Sequence, residues 1–259
     1  MNRVLLSVED SIGHLKLNRP DKLNALDAAM VQELVSCCRE IEHDAAIQVV
    51  ILSGEGKAFC AGGDIEAWSS ETADDFGRHW VRDGHAAFDA LARLRQPVIA
   101  VLDGHALGGG LEVAACADMR IAEDHIKIGQ PETGLGIIPG WSGTQRAVRR
   151  FGSQIVRRMA LFGEIFTAQE AQSLGLVDKV VASGEGPEAA RKVAEQLLQR
   201  GPRASELTKM MINAAEGEER ERIMEALAGT IAASSPELSE GLAAFRDRRK
   251  PHFSKEPKA

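Results

Sequence analysis

The sequence predicts an α/β fold with crossover connections, followed by a helical C-terminal part. Three observations carry that expectation. Apolar strand-like runs alternate with helical patterns between Val4 and Val181, the arrangement of strands joined through helices. Two of the buried-strand runs, Val49–Leu52 and Val98–Leu102, end directly in glycine-containing loops. Beyond Ser183-Gly184-Glu185-Gly186-Pro187, a hinge-like linker, every periodic stretch is helical. The chain therefore divides into a strand-bearing part, residues 1–183, and a helical part, residues 188–259.

Taken in order, Val4–Val8 and His14–Leu17 read as a β-hairpin, and Asn18-Arg19-Pro20-Asp21-Lys22 as a turn, because Pro20 lacks a donor and biases Arg19 away from helix. Asp27 is placed to cap a helix with an apolar face of Met30, Val31, Leu34, Val35, Cys38 and Ile41. Val49–Leu52 is a buried strand, and Phe59–Ile65, FCAGGDI, a glycine loop. Glu66–Asp83 mixes Trp68, Phe76 and Trp80 with many acids, which suits a helix or loop over a site. Gly84–Arg95 is helical by periodicity. After Val98–Leu102 come Gly108-Gly109-Gly110 and a small-residue segment, then two short strands within Met119–Ile128. Ser142–Phe151 and Gln154–Phe162 are expected helices. Thr167-Ala168-Gln169-Glu170 has capping-box spacing and precedes a short helix and a strand, Leu176–Val181. Three or four C-terminal helices follow, within Glu188–Gln199, Ala204–Ala215, Glu218–Ala233 and Pro236–Arg248.

Composition narrows the function. The 259 residues are 44% hydrophobic, ample for a core, with a net charge of −7 and a pI near 5.6. That balance opposes bulk electrostatic binding to nucleic acid or to an anionic membrane. Cys37, Cys38, Cys60 and Cys116 show no metal-ligand spacing, and the seven histidines show neither HxxxH nor HExxH. No metal site is expected, and the thiols read as free in a reducing compartment. With no membrane-spanning run and no visible leader, a cytoplasmic protein is expected.

The chemistry concentrates in Pro97–Pro139. Gly108–Gly110 matches neither GxxxxGK[ST] nor GxGxxG. Taken alone, these glycines are explained by close packing of a helix on a strand; the functional alternative is an oxyanion hole of backbone N–H groups. Glu112 lies among Leu111, Val113, Ala114, Ala115 and Cys116, where a carboxylate needs a partner, such as Arg120 or Arg146, or a function. Glu132 follows Pro131 and precedes a glycine-rich loop. Two acids in an apolar site raise each other's pKa, so one stays protonated and one ionised. That pairing suits addition of water across a polarised double bond. His105 precedes the glycine turn and reads as structural, while Trp141 is a candidate for lining an acyl pocket.

Nearly the whole chain resembles the crotonase superfamily, also called the enoyl-CoA hydratase/isomerase family. The resemblance rests on Asn18-Arg19-Pro20, Asn24-Ala25-Leu26 and Gly56-Lys57-Ala58-Phe59-Cys60-Ala61-Gly62-Gly63-Asp64. It continues through Gly104-His105-Ala106-Leu107-Gly108-Gly109-Gly110-Leu111-Glu112 and Gly129-Gln130-Pro131-Glu132. It closes with Gly140-Trp141-Ser142-Gly143-Thr144-Gln145-Arg146 and Glu240-Gly241-Leu242-Ala243-Ala244-Phe245.

The resemblance implies a crotonase-like spiral of ββα units with a C-terminal helical oligomerisation region, assembled as a trimer or hexamer. It implies an oxyanion hole from the N–H groups of Gly63 and Gly109, and catalysis by Glu112 and Glu132. Glu112 would be chiefly the base and Glu132 chiefly the acid that protonates Cα. The Gly140 N–H would help to hold the water. Ala61, Gly62, Asp64 and Ile65 would lie near the adenine of coenzyme A, and Phe245 and Arg248 would line the coenzyme A site, often that of a neighbouring subunit. Arginine stands at 248 where some relatives have lysine. The implied reaction is hydration of a 2-enoyl-CoA, with coenzyme A as part of the substrate and no resident cofactor. Double-bond isomerisation, a hydratase-lyase step and a non-catalytic RNA-binding role are the alternatives. Acyl-chain selection is expected from Glu66–Phe88 and the surroundings of Trp141.

Overall fold

The computed structural model describes residues 2–253. Two compact units are distinguished, Met1–Lys209 and Met210–Ala259.

In the first unit, β1 (Val4–Glu9) and β2 (Ile12–Leu17) form an antiparallel hairpin. Its turn, Asp10-Ser11, has φ values of 50° and 66°, the left-handed pair that matches the twist of a two-residue hairpin. Both strands outrun their apolar stretches because the turn consumes only two residues. A 3-10 turn at Pro20–Lys22 leads to α1 (Ala28–His43). The Asp27 side chain accepts the Met30 N–H at 2.9 Å, satisfying a donor left over by the helix start. β3 (Val49–Gly54) is followed by α2 (Ile65–Trp68), α3 (Ala73–Asp75) and a π-helical segment, Phe76–Val81, that runs directly into α4 (Arg82–Ala92). Then come β4 (Val98–Leu102), β5 (Ala106–Leu107), α5 (Gly109–Ala114), β6 (Met119–Glu123) and β7 (Lys127–Gly129). The rest of the unit holds α6 (Arg146–Phe151), α7 (Ser153–Phe162), β8 (Ile165–Thr167), α8 (Ala168–Ser173), β9 (Lys179–Val181) and α9 (Gly186–Leu198). The capping box at Thr167 and Glu170 is complete.

The main sheet has the order β1-β2-β3-β4-β6-β9, parallel from β2 onward. Alternation divides its residues between two cores. Val50, Leu52, Val98, Ala100 and Leu102 face the larger one, with α1 and α4 residues. Val49, Ile51, Ile99 and Val101 face the smaller one, with Ala189, Ala190 and Ala194 of α9. A period of two with both faces covered is why β3 and β4 read as continuous apolar runs. The second sheet, β5-β7-β8, is short.

Two expected elements start three or more residues later than their patterns. The strand expected over Leu176–Val181 is paired only at Lys179–Val181; Leu176 and Val177 are buried in the approach to it. The helix expected from Ser142 starts at Arg146, because Ser142 has a φ of 77° that a right-handed helix excludes.

The 3-10 turn Glu132–Leu135 and the loop over residues 59–64 complete the scaffold of the site. Asn24, fully buried, anchors that loop region: it accepts the Arg19 N–H at 2.8 Å and donates to Glu55 O at 3.0 Å and Ala58 O at 2.7 Å. His105 is structural, its Nδ1 accepting the Lys127 N–H at 3.1 Å.

α10 (Pro202–Ala215) carries the chain into the second unit, which holds α11 (Arg220–Ala233) and α12 (Pro236–Arg246). Within this unit Glu240 binds the Arg249 guanidinium at 2.6 Å and the His252 N–H at 2.7 Å. Met224, Ile231 and Phe245 are exposed.

Candidate active site

The site is assembled where two glycine segments meet. The residue 59–64 segment bridges to Leu26 on one side and to Ala106 on the other. Leu26 donates to Gly62 O at 2.8 Å and accepts the Asp64 N–H at 2.7 Å. In such a parallel bridge the middle residue, Gly63, turns its own N–H to the opposite side. Gly109 opens α5, so its N–H belongs to the first turn and has no partner in the helix. Neither the Gly63 nor the Gly109 N–H donates a hydrogen bond among the described residues. The two are adjacent: a Cβ built on Gly109 would stand 3.3 Å from Gly63 N. Gly62 and Gly108 permit the approach, with φ values of 101° and 53° that side-chain-bearing residues rarely adopt.

Both glycines line a cavity of about 180 Å³. Glu112 and Glu132 border the same cavity. Glu112 sits on α5, every residue of which is buried. Its Oε1 accepts the Trp141 and Gly143 N–H groups, each at 2.7 Å. Neither arginine considered from the sequence bridges it: Arg120 binds Leu176 O and Ala117 O, and Arg146 binds Asp89 Oδ1 at 2.7 Å. Glu132 opens its 3-10 turn beside Gly108, and both of its carboxylate oxygens are buried without a hydrogen-bond partner.

These surroundings set the protonation. Burial pushes the Glu112 carboxyl up to about 8, assisted by the Glu132 charge and opposed by the two N–H donors and Arg146. Burial pushes Glu132 up to about 7, opposed by its own backbone N–H. Two carboxylates facing one apolar cavity do not both ionise readily at neutral pH. Of the two, Glu112 is the more strongly raised, chiefly by burial, and the pair titrates as a unit. The arrangement brings two coupled carboxyls and two N–H groups without a partner among the described residues to one cavity.

Of the other residues expected at the site, Ala61, Gly62, Ile65 and Gly140 line the cavity. The Asp64 side chain is engaged instead with Arg19, at 2.6 Å, and with the N–H of Glu66 at the start of α2. Burial raises the Asp64 carboxyl, but the Arg19 guanidinium, the Glu66 N–H and Lys22 together hold it below its ordinary value. Phe245 and Arg248 belong to the second unit. The sequence reading missed the Trp141 and Gly143 N–H groups as the holders of Glu112. The positive φ of Ser142 between them is the local feature that aims both at one oxygen.

A family model described as enoyl-CoA hydratase/isomerase matches residues 7–256. The chain belongs to the enoyl-CoA hydratase/isomerase family. Among members of this family, it is 35% identical over 253 residues to a crotonyl-CoA hydratase of Syntrophomonas wolfei, covering 96% of this chain and 97% of that one. It is 39% identical over 214 residues to a short-chain-enoyl-CoA hydratase of Clostridium acetobutylicum, covering 82% of each. A solved enoyl-CoA hydratase from Bacillus anthracis superposes with a TM-score of 0.80 at 34% identity, covering 97% of this chain and 98% of that one. The fold is therefore the crotonase-like α/β fold expected from the sequence.

Proposed function

We propose that this enoyl-CoA hydratase/isomerase family member adds water across the 2,3 double bond of a 2-enoyl-CoA thioester, giving the 3-hydroxyacyl-CoA. The observation that carries this reading is the pair of buried carboxyls, both with raised pKa, facing one cavity beside the two unengaged N–H groups. The hydratase names of its relatives point the same way.

In the proposed reaction the thioester oxygen accepts the Gly63 and Gly109 N–H groups. A water held by Glu112, Glu132 and the Gly140 N–H attacks Cβ as Glu112 takes one of its protons. The C=C electron pair moves through Cα onto the thioester oxygen, and the two N–H bonds strengthen as that charge develops; loss of one such donor costs about 3–4 kcal/mol in comparable sites. Glu132 then protonates Cα. The product has gained one hydroxyl at Cβ and one hydrogen at Cα. No resident cofactor enters these steps, since coenzyme A arrives with the substrate.

Ala61, Gly62, Asp64 and Ile65 are proposed to flank the adenine end, Asp64 through its backbone because its side chain is held by Arg19. Phe245 and Arg248 are proposed to serve the coenzyme A site of a neighbouring copy in a trimer or hexamer. The exposure of Phe245, at 84%, supports an assembly in which it is covered. The free thiols Cys37, Cys38 and Cys60 support a reducing, cytoplasmic location. Among the described residues no helix is long and apolar enough to cross a membrane.

The test is crotonyl-CoA in D₂O. Hydration gives a product heavier by one water with one carbon-bound solvent deuterium at Cα. Recovery of an isomerised or cleaved thioester, with no added water retained, would replace hydration with another reaction on this scaffold.

A further inference from the structure

The chain has three tryptophans and no tyrosine, and all three tryptophans, Trp68, Trp80 and Trp141, line the one cavity described above. We propose that Trp141, locked against Trp80 beside the two donor glycines, forms the acyl-end wall of this cavity and restricts the enzyme to short 2-enoyl chains. This rests on the hydratase reading of the site and adds to it the size of the acyl group.

The wall stands directly against the donors. A Cβ on Gly109 would lie 3.2 Å from Cε3 and Cζ3 of Trp141. One on Gly63 would lie 3.2 Å from Trp80 Cζ2 and 3.6 Å from Trp141 Cη2. The indoles therefore stand next to the two glycines whose N–H groups are proposed to receive the thioester oxygen. The cavity, about 180 Å³, is open to solvent on one side, so the limit on chain length comes from the fixed indole beside the donor glycines and not from the total volume.

The ring is also fixed. Trp141 is 3% exposed, its indole N–H donates to Trp80 O at 3.0 Å, and its edge meets Phe88 with ring centroids 5.3 Å apart. Trp80 itself packs at 4.9 Å between centroids. Gly84, inside α4, explains how the ring fits: any Cβ there would run into the indole. Glycine is a poor helix former, so the seat of this indole is kept open at the expense of the helix. The Trp80 carbonyl that receives the indole lies in the π-helical segment. The ring thereby ties the 140–143 loop, which holds Glu112, to the segment over the cavity.

The experiment compares kcat/KM for crotonyl-CoA and 2-octenoyl-CoA in the wild type, Trp141→Ala and Trp141→Leu, with folding checked by circular dichroism. Calorimetric affinities for butyryl-CoA and octanoyl-CoA are measured alongside. A single misfitting methylene changes selectivity by about 10-fold or more, so the wild type should favour the crotonyl thioester by at least about 100-fold. Each folded variant should raise the octenoyl-to-crotonyl ratio by about 10-fold or more. The leucine variant keeps an apolar side chain in the core and so guards against simple unfolding. A wild type that handles both thioesters with similar kcat/KM overturns the proposal, as does an unchanged ratio in a folded variant. A wild type that hydrates neither thioester refutes the hydratase reading instead, and the butyryl-to-octanoyl affinity ratio then decides the wall by itself.

Discussion

Replacing Glu132 by glutamine should make the protein relatively more stable as pH rises. Glu132 is 8% exposed, and neither carboxylate oxygen has a partner. Its carboxyl moves from an ordinary value of 4.5 to about 7 on folding. At about 1.4 kcal/mol per unit, this corresponds to about 3 kcal/mol. The sign follows from proton binding: between the unfolded and folded values the native state holds a proton that the unfolded state has released. The stabilisation is complete below about pH 4.5, falls as pH rises and is lost above about pH 7. Glutamine does not titrate, so the cost of burying its amide is the same at every pH. Between pH 5 and 8 the variant should gain about 2–3 kcal/mol on the wild type, roughly 5–10 °C in Tm for a chain of this size. Removing the Glu132 charge also relieves Glu112, which acts in the same direction. Thermal unfolding of both proteins across that range tests it. A Tm difference that stays constant with pH would refute the claim that Glu132 is buried as a neutral acid.

Gly109→Ala should reduce kcat for crotonyl-CoA by about 100-fold or more, because the new methyl would stand 3.3 Å from Gly63 N and fill the space between the two donors; near-normal turnover would remove Gly109 from the oxyanion site. Asn24→Ala should cost roughly 2–4 kcal/mol in urea unfolding, since it leaves the Glu55 and Ala58 carbonyls and the Arg19 N–H without their partner. Thr167→Ala, which breaks an exposed capping box away from the cavity, should cost about 1 kcal/mol and leave kcat/KM unchanged.

The features legible in the sequence are those whose causes are local. Asp27 and Thr167 announce helix starts because their side chains reach only three residues along the chain. β3 and β4 announce themselves because both faces are covered. Glu112 stood out because a carboxylate among small apolar residues must be explained. What holds it could not be read, since the Trp141 and Gly143 N–H groups lie 29 and 31 residues away. The late start of α6 has the same origin: Ser142 leaves helical geometry so that its neighbours can serve Glu112. The π-helical segment at Phe76–Val81 was unreadable because its Trp80 carbonyl is satisfied by an indole from a distant loop. The reason for Gly84 inside α4 is equally remote in sequence, since the Trp141 indole fills the space of any Cβ there.

In the proposed reaction Glu112 and Glu132 act together on one water while the glycine N–H groups hold the thioester. Steady-state loss of the conjugated enoyl absorbance of crotonyl-CoA, in Glu112→Gln and Glu132→Gln beside the wild type, tests it most directly, with butyryl-CoA affinity measured in each. General acid–base groups contribute about 10²–10⁴-fold. Each variant should lose activity on that scale while retaining its affinity for the saturated thioester. Undiminished hydration in either one would contradict the account.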